Sequence, residues 1–288
     1  MTFSIERLAL REQLTAWLKE DIGTGDVTTA FTIPEGQVSK AIIHAKEDGI
    51  IAGLPVAEAV FDIVDSQLTF RAMAAEGERV KKGTVLAEVE GSTHSILLGE
   101  RLALNLMQRM SGIATKTAAY AAVIADLPAK LVDTRKTTPG HRALEKYAVR
   151  IGGGGNHRFG LYDAVMIKDN HIKGAGGIRE AVSRARGQIP YTMKIEVETE
   201  SLAQVDEALE AGADIIMLDN MKPALMQEAV SRIRAAAPHV WIEASGGITL
   251  ETIREKALCG VDVISVGALT YSFQALDISL DLNEKKAG

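Results

Sequence analysis

The chain has 288 residues, 47% hydrophobic and 24% charged, with 32 lysines and arginines against 38 aspartates and glutamates and a formal net charge of −6. That balance suits an ordinary globular protein long enough for one large barrel or two domains, and its acidity argues against a broad nucleic-acid-binding face. The single cysteine, Cys259, excludes an internal disulfide framework, no apolar run approaches the ~20 residues that cross a bilayer, and the acidic N-terminus is unlike a targeting peptide. A cytoplasmic protein is the expectation, with no nucleic-acid and no membrane partner.

In chain order, residues 4–20 set Leu8, Leu10, Leu14, Trp17 and Leu18 close to a helical stripe. DIGTGDVTT, residues 21–29 with Asp21 opening it, breaks that helix at Gly23 and Gly25. A lone G-x-G is a weak phosphate signal and reads first as a turn. VSKAIIHAKEDGIIAG reads as a β-hairpin turning at Glu47-Asp48-Gly49. A helix over 54–64 follows, and two short strands flank EGERVKKG, which makes the region to about Gly91 a small α+β unit. Residues 94–124 form one long alanine- and leucine-rich helical pattern, interrupted around Ser111-Gly112 and bridging two domains.

The pattern then changes to short apolar strands alternating with helices. The strands are LVDT at 131, AVMI at 164, MKIEV at 193, DIIML at 214, WIEA at 241 and VDVISV at 261. Helices are expected over 141–149, 178–186, 201–211, 223–236 and 249–258, with a capping box from Ser201 to Gln204. Apolar strands alternating with amphipathic helices imply a parallel sheet covered by helices, as a closed barrel or an open doubly wound sheet.

The stretch from Leu131 to Lys173 holds eight lysines and arginines against four acids, a local charge of +4 in an acidic chain. It also holds His141, His157 and His171. A cationic island of this size suits a small polyanion, although a solvated surface would show the same charge. TRKTTPG and GGGGNHR weigh against the solvated surface, because they pair rigid donors with turn-forming glycine and proline. Zinc is a poor reading of the histidines: they are widely spaced, with no cysteine beside them. His157 is the one expected to touch ligand, and His141 is expected to be structural.

Polar or glycine residues stand at the C-terminal ends of the strands: Arg135-Lys136, Lys168-Asp169-Asn170-His171, Glu196 and Glu198, Asp219-Asn220, Glu243 to Gly247, and Gly267. Parallel α/β folds bind ligands beyond these ends, so the residues should converge on one mouth. Ser245-Gly246-Gly247, expected before a helix, and Gly267-Ala268 resemble paired glycine loops that hold a phosphate. Glu198 and Asp219 can bind magnesium or stabilise developing positive charge. Helix capping, or an ion pair to Lys168 or Lys194, is the alternative. Arg135, Lys136, His157 and Arg158 offer donors for carboxylates and phosphates.

At these residues the chain resembles the quinolinate phosphoribosyltransferases. DTRKTTPG, EKYAV, GGGGNHR, GLYD and IKDNHI occur in that family's order and spacing. GERLALNLMQRMSGIAT resembles its bridging helix, and EDIGTGDVTT its N-terminal segment; His141, where an apolar residue is expected, is the one departure. The resemblance implies an N-terminal α+β sandwich domain packed on an incomplete parallel α/β barrel, with domains at 1–115 and 116–275 and a tail, 276–288, returning to the first domain. It implies phosphoribosyl transfer from phosphoribosyl pyrophosphate to quinolinate with loss of carbon dioxide, giving nicotinate mononucleotide, with magnesium required. Arg135, His157, Arg158 and Lys168 would bind the quinolinate carboxylates, with Thr137 also a substrate contact. Lys136 would meet the pyrophosphate. Glu198 and Asp219 would hold ribose and Mg2+, directly or through water, and with Lys136 form the catalytic set. Ser245, Gly246, Gly247 and Gly267 would hold the 5′-phosphate. Arg101 would enter a neighbouring subunit's site, making a homodimer at least.

Two rivals remain at this point. One is a relative of altered substrate, such as a nicotinate phosphoribosyltransferase or a molybdenum-transport-associated paralogue. The other is a carrier module, since EGERVKKGTVLAEVEG resembles half of a lipoyl or biotinyl domain, although Lys81-Lys82 lacks the M-K-M context.

Overall fold

A computed structural model describes residues 7–282. Residues 4–6 of the expected first helix and 283–288 of the expected tail lie outside the described residues. The chain divides into two compact units, one drawn from residues up to 116, from 143–152 and from 273 onward, the other from 117–142 and 153–272.

In the first unit, helix Arg7–Ile22 buries Leu14 and Leu18 on its stripe. The glycine-rich segment after it is a turn that ends in a cap: the Asp26 carboxylate accepts the Thr28 and Thr29 N–H groups at 3.0 and 3.1 Å and starts helix Val27–Thr32. Five strands follow: β1 (Val38–Ala45), β2 (Gly49–Ile50), β3 (Thr69–Ala72), β4 (Arg79–Val80) and β5 (Val85–Ser92). The expected hairpin across Glu47-Asp48-Gly49 does not form. β2 pairs with β4, and the Ile50 N–H donates to Thr115 Oγ1 at 2.8 Å. One edge of β1 is already taken by β5, antiparallel, and β5 carries β3 on its far side.

Helix Leu54–Val64 spans the expected residues, its start held by Glu76, whose carboxylate accepts the Gly53 and Leu54 N–H groups at 2.6 and 3.0 Å. Helix Thr93–Val123 runs unbroken through Ser111-Gly112, against expectation. Ser111 Oγ is bound to the Ala52 backbone on both sides, and a Cβ on Gly112 would stand 2.1 Å from the Gln274 carbonyl oxygen. The small residues there admit neighbouring backbone instead of breaking the helix. Lys81, the candidate carrier lysine, is paired with Asp48 at 2.7 Å.

In the second unit the six expected strands all form: β6 (Lys130–Val132), β7 (Val165–Ile167), β8 (Ile195–Thr199), β9 (Ile215–Asp219), β10 (Trp241–Ser245) and β11 (Val263–Ser265). They make one parallel sheet in the order β6-β11-β10-β9-β8-β7. β6 and β7 are its two ends and do not pair, so the barrel is incomplete; Gly155 bridges to Val132 beyond β6. The strands are apolar because one face lies under helices: Ile195, Val197, Ile216, Leu218, Ile242, Ala244 and Ile264 are fully buried. Helices Ile178–Arg186 and Pro223–Ala236 match expectation. The helix expected at 249 begins only at Ile253, and Asp169–Ala175 forms a helix where strand-end loop was expected. Half of the expected capping box is present, Ser201 Oγ accepting the Gln204 N–H at 3.3 Å; the Gln204 side chain accepts from Glu200 N at 2.7 Å instead of closing on Ser201. The last strand, β12 (Ile278–Leu282), belongs to the first unit and lies antiparallel against β1.

Candidate active site

Strand periodicity places the chemistry. On β8, Ile195, Val197 and Thr199 take one face, so Glu196 and Glu198 take the other. Register carries the same face across the sheet: Glu198 lies opposite Met217 and Met217 opposite Glu243, while Asp219 lies opposite Ser245. The carboxyl ends of adjacent strands thus bring Glu198, Asp219 and Ser245 side by side.

The loop after β6 supplies Arg135, Lys136 and Thr137. Thr134 Oγ1 accepts the Lys136 N–H at 3.0 Å, and the Thr270 hydroxyl donates to the Lys136 carbonyl at 2.8 Å. The Lys136 side chain lies over Gly267, where a Cβ would stand 2.9 Å from Lys136 Cδ. Thr137 Oγ1 accepts from Arg142 Nε at 3.0 Å, and Arg142 also donates to the Phe159 carbonyl at 3.2 Å, which ties this loop to the glycine-rich one. Arg135 Nε is buried and has no hydrogen-bond partner among the described residues.

In the glycine-rich loop, buried Asp133 is the anchor: it accepts Asn156 Nδ2 at 2.6 Å and the His157 N–H at 2.8 Å. Arg158 donates to the Ala164 carbonyl at 2.9 Å. Burial, then the neighbouring Arg135 guanidinium, lowers the pKa of Arg158. Two guanidinium groups close enough to repel call for an anion between them.

His157 is more enclosed than the sequence suggests. Its Nε2 lies 3.3 Å from both Glu196 Oε2 and Glu243 Oε2, and its Nδ1 accepts the Arg158 N–H at 2.7 Å. Burial opposes charge on the ring, but the two carboxylates outweigh it and raise its pKa; burial likewise raises Glu196. Because Nδ1 accepts the Arg158 N–H, the ring presents Nε2 to the two carboxylates. These three side chains bring potential metal-ligand atoms within 4.8 Å of one another.

Lys168 Nζ pairs with Glu198 Oε2 at 2.9 Å, so the ion pair weighed against metal binding is present. Lys168 caps helix Asp169–Ala175, its N–H donating to His171 Nδ1 at 3.0 Å. Asp219 is half-buried, and burial followed by the charge of Glu198 raises its pKa. Two hard carboxylates in mutual repulsion are suited to a divalent cation.

The turn after β10 has a reason for each glycine. At Gly246, φ is +92°, and a Cβ would fall 2.2 Å from Asn220 Oδ1 and 2.8 Å from Asn220 N. Gly247, at φ +57°, has nothing among the described residues within 4 Å of that position, which leaves its backbone open to a ligand. Neither glycine opens a helix directly, because residues 247–252 turn before Ile253.

Residues 113–281 match the C-terminal-domain profile of the quinolinate phosphoribosyl transferases, and residues 26–111 match the N-terminal-domain profile. The chain belongs to the quinolinate phosphoribosyl transferase family. It is 49% identical over 269 residues to a probable nicotinate-nucleotide pyrophosphorylase (carboxylating) of Synechocystis, covering 93% of this chain and 91% of that one. With the Bacillus subtilis protein of the same name it shares 46% identity over 278 residues, covering 96% and 95%. The solved structure of the nicotinate-nucleotide pyrophosphorylase from Francisella tularensis superposes with a TM-score of 0.92 at 38% identity, covering 97% of this chain and 98% of that one. Family membership excludes the carrier-module reading.

Of the thirteen site residues expected from the sequence, twelve, from Arg135 to Gly267, fall in the second unit; Arg101 is on helix Thr93–Val123 of the first, its side chain 59% exposed beside Glu100. Sequence reasoning passed over Asp133 as an anchor, and counted Glu196 and Glu243 among the strand-end residues of the mouth without seeing that they enclose His157. The signal was there: an acid inside a strand otherwise buried must have a partner. Among the described residues, no helix is long and apolar enough to cross a membrane.

Proposed function

We infer that this chain transfers the phosphoribosyl group of phosphoribosyl pyrophosphate to quinolinate with decarboxylation, giving nicotinate mononucleotide, pyrophosphate and carbon dioxide in de novo NAD biosynthesis. The observation that carries the substrate is the Arg135–Arg158 pair. Two repelling guanidinium groups, one with a buried unbonded Nε, suit a dianion better than a single carboxylate. Lys168 adds a third cation, and His157 stands behind Arg158. Nicotinate, with one carboxylate, would leave part of that charge unmatched.

Around the transferred group, Ser245, Gly246, Gly247 and Gly267 hold the 5′-phosphate through backbone N–H groups, and Lys136 meets the pyrophosphate, with Thr137 beside it. Glu198 and Asp219 face the ribose and stabilise positive charge that develops at the anomeric carbon as the bond to pyrophosphate breaks. The same two carboxylates would hold Mg2+, which neutralises the leaving pyrophosphate when bound. The pyridine nitrogen attacks the anomeric carbon and becomes a cationic pyridinium. That charge stabilises the carbanion left at the adjacent carbon when the 2-carboxylate departs as carbon dioxide, and a proton then replaces it. The chain's work is positioning and electrostatics.

Arg101, exposed on its own unit, serves the site of a second subunit, so the working form is a homodimer or a larger assembly, and its place is the cytoplasm. Product analysis with phosphoribosyl pyrophosphate plus either quinolinate or nicotinate tests the reading. Quinolinate should give the mononucleotide with stoichiometric carbon dioxide, and equal or better turnover of nicotinate would remove the substrate assignment.

A further inference from the structure

Behind the cationic mouth lie three enclosed ionisable side chains to which the chemistry above gives no direct step. Glu196 and Glu243 are 2% and 3% exposed, and both approach His157 Nε2 at 3.3 Å. Each glutamate also has a buried Oε1 with no hydrogen-bond partner among the described residues. Burying a carboxylate with one oxygen unbonded costs stability, so packing alone does not explain the pair.

A histidine between two carboxylates can be a metal centre or a hydrogen-bonded brace, and the ring distinguishes them. Nδ1 accepts the Arg158 N–H at 2.7 Å. An imidazole that accepts at Nδ1 carries its proton on Nε2. Nε2 is therefore a donor aimed at the glutamates and has no lone pair for a metal.

We propose that Glu196 and Glu243 are positioning residues for the dicarboxylate site: they hold the His157 ring, and through it the turn that aims Arg158. The contacts form a continuous path. The glutamates fix Nε2, Nδ1 holds the Arg158 N–H, and Asp133 holds the Asn156 side chain and the His157 N–H. The backbone from 156 to 158 is pinned from both sides, which holds the Arg158 guanidinium at the Ala164 carbonyl, beside Arg135. Glu196 also offsets the repulsion between Arg158 and Arg135. The phosphate turn at Ser245 to Gly247 follows Glu243 on β10 but makes none of the hydrogen bonds of this path.

The inference rests on the quinolinate reading, and its test keeps the two apart. Glu243→Met removes the acceptor at nearly constant volume, and should raise KM for quinolinate about ten-fold, the scale of one hydrogen bond, with KM for phosphoribosyl pyrophosphate unchanged. Glu243→Gln keeps an acceptor in place and should restore most of the quinolinate KM. If Glu243→Met does not fold, Glu243→Asp, which draws the carboxylate back by one methylene, carries the same split. Both KM values moving together, or a fall in Tm with neither KM moved, overturns the brace. So does a metal ion retained stoichiometrically by the purified wild type and lost from the variant. A wild type that does not use quinolinate overturns the functional reading instead, before any variant is compared.

Discussion

Replacing Arg158 by lysine keeps a positive charge at the mouth and removes the planar fork. Arginine offers five N–H donors and lysine three, without a pair in parallel. In the structure Arg158 already donates to the Ala164 carbonyl at 2.9 Å and contacts Met166 Sδ at 3.6 Å. The remaining donors are left for a ligand, with Arg135 as the neighbouring cation. A lysine ammonium that regains the Ala164 bond cannot also present two parallel donors to a carboxylate. The loss is about one charge-assisted hydrogen bond, ~1.5–3 kcal/mol, or quinolinate binding weaker by about ten- to a hundred-fold. Titration calorimetry of Arg158→Lys with quinolinate, and separately with phosphoribosyl pyrophosphate, reads the effect. Quinolinate affinity should fall by that factor and phosphoribosyl pyrophosphate affinity should hold. Unchanged quinolinate binding, with loss on the phosphate ligand, would refute the division of the mouth and make the cationic stretch the phosphate site.

Gly247→Val should do the converse. The φ of +57° disfavours a branched residue and the side chain would fill the open approach, so phosphoribosyl pyrophosphate binding should weaken about ten-fold or more while quinolinate binding is retained; calorimetry with both ligands checks it. Arg101→Ala and Arg135→Ala should each be inactive alone and recover part of the activity when mixed under conditions of proven subunit exchange, because a hybrid dimer regains one complete site. No recovery counts against a shared site.

The second unit was legible almost throughout, because its strands are apolar runs buried on one face by helices and bounded by polar residues. Runs such as DIIML and WIEA admit few other structures, and the polar residues that end them stand where ligands of parallel sheets bind. The first unit was harder. VSKAIIHAKEDGIIAG has the local pattern of a hairpin, yet β1 takes β12 as a partner, pairing Ala45 with Ile278 across the length of the chain. No local pattern encodes such a choice. At 247–252 the glycine and the two threonines delay the helix to Ile253, and at Lys168 the strand-end motif turns directly into a helix whose polar residues are its cap. The Glu196–His157–Glu243 group joins three separate segments. Its parts show in sequence only as acids and a histidine, and their meeting depends on the register of β8, β9 and β10.

That last strand has a consequence for the order in which the molecule can be made. β12 completes the edge of a sheet whose other members come from residues 38–92. During synthesis the first-made strands must wait, with the β12 side of β1 unpaired, until residue 282 has emerged, while every strand of the second unit is already available. A ribosome-bound chain halted before residue 278 therefore displays an open strand edge rich in Ile42, Ile43 and Ala45. Strands made early in the unit are thus among the last to be finished, and until then their open edge can pair with a neighbour on the same message.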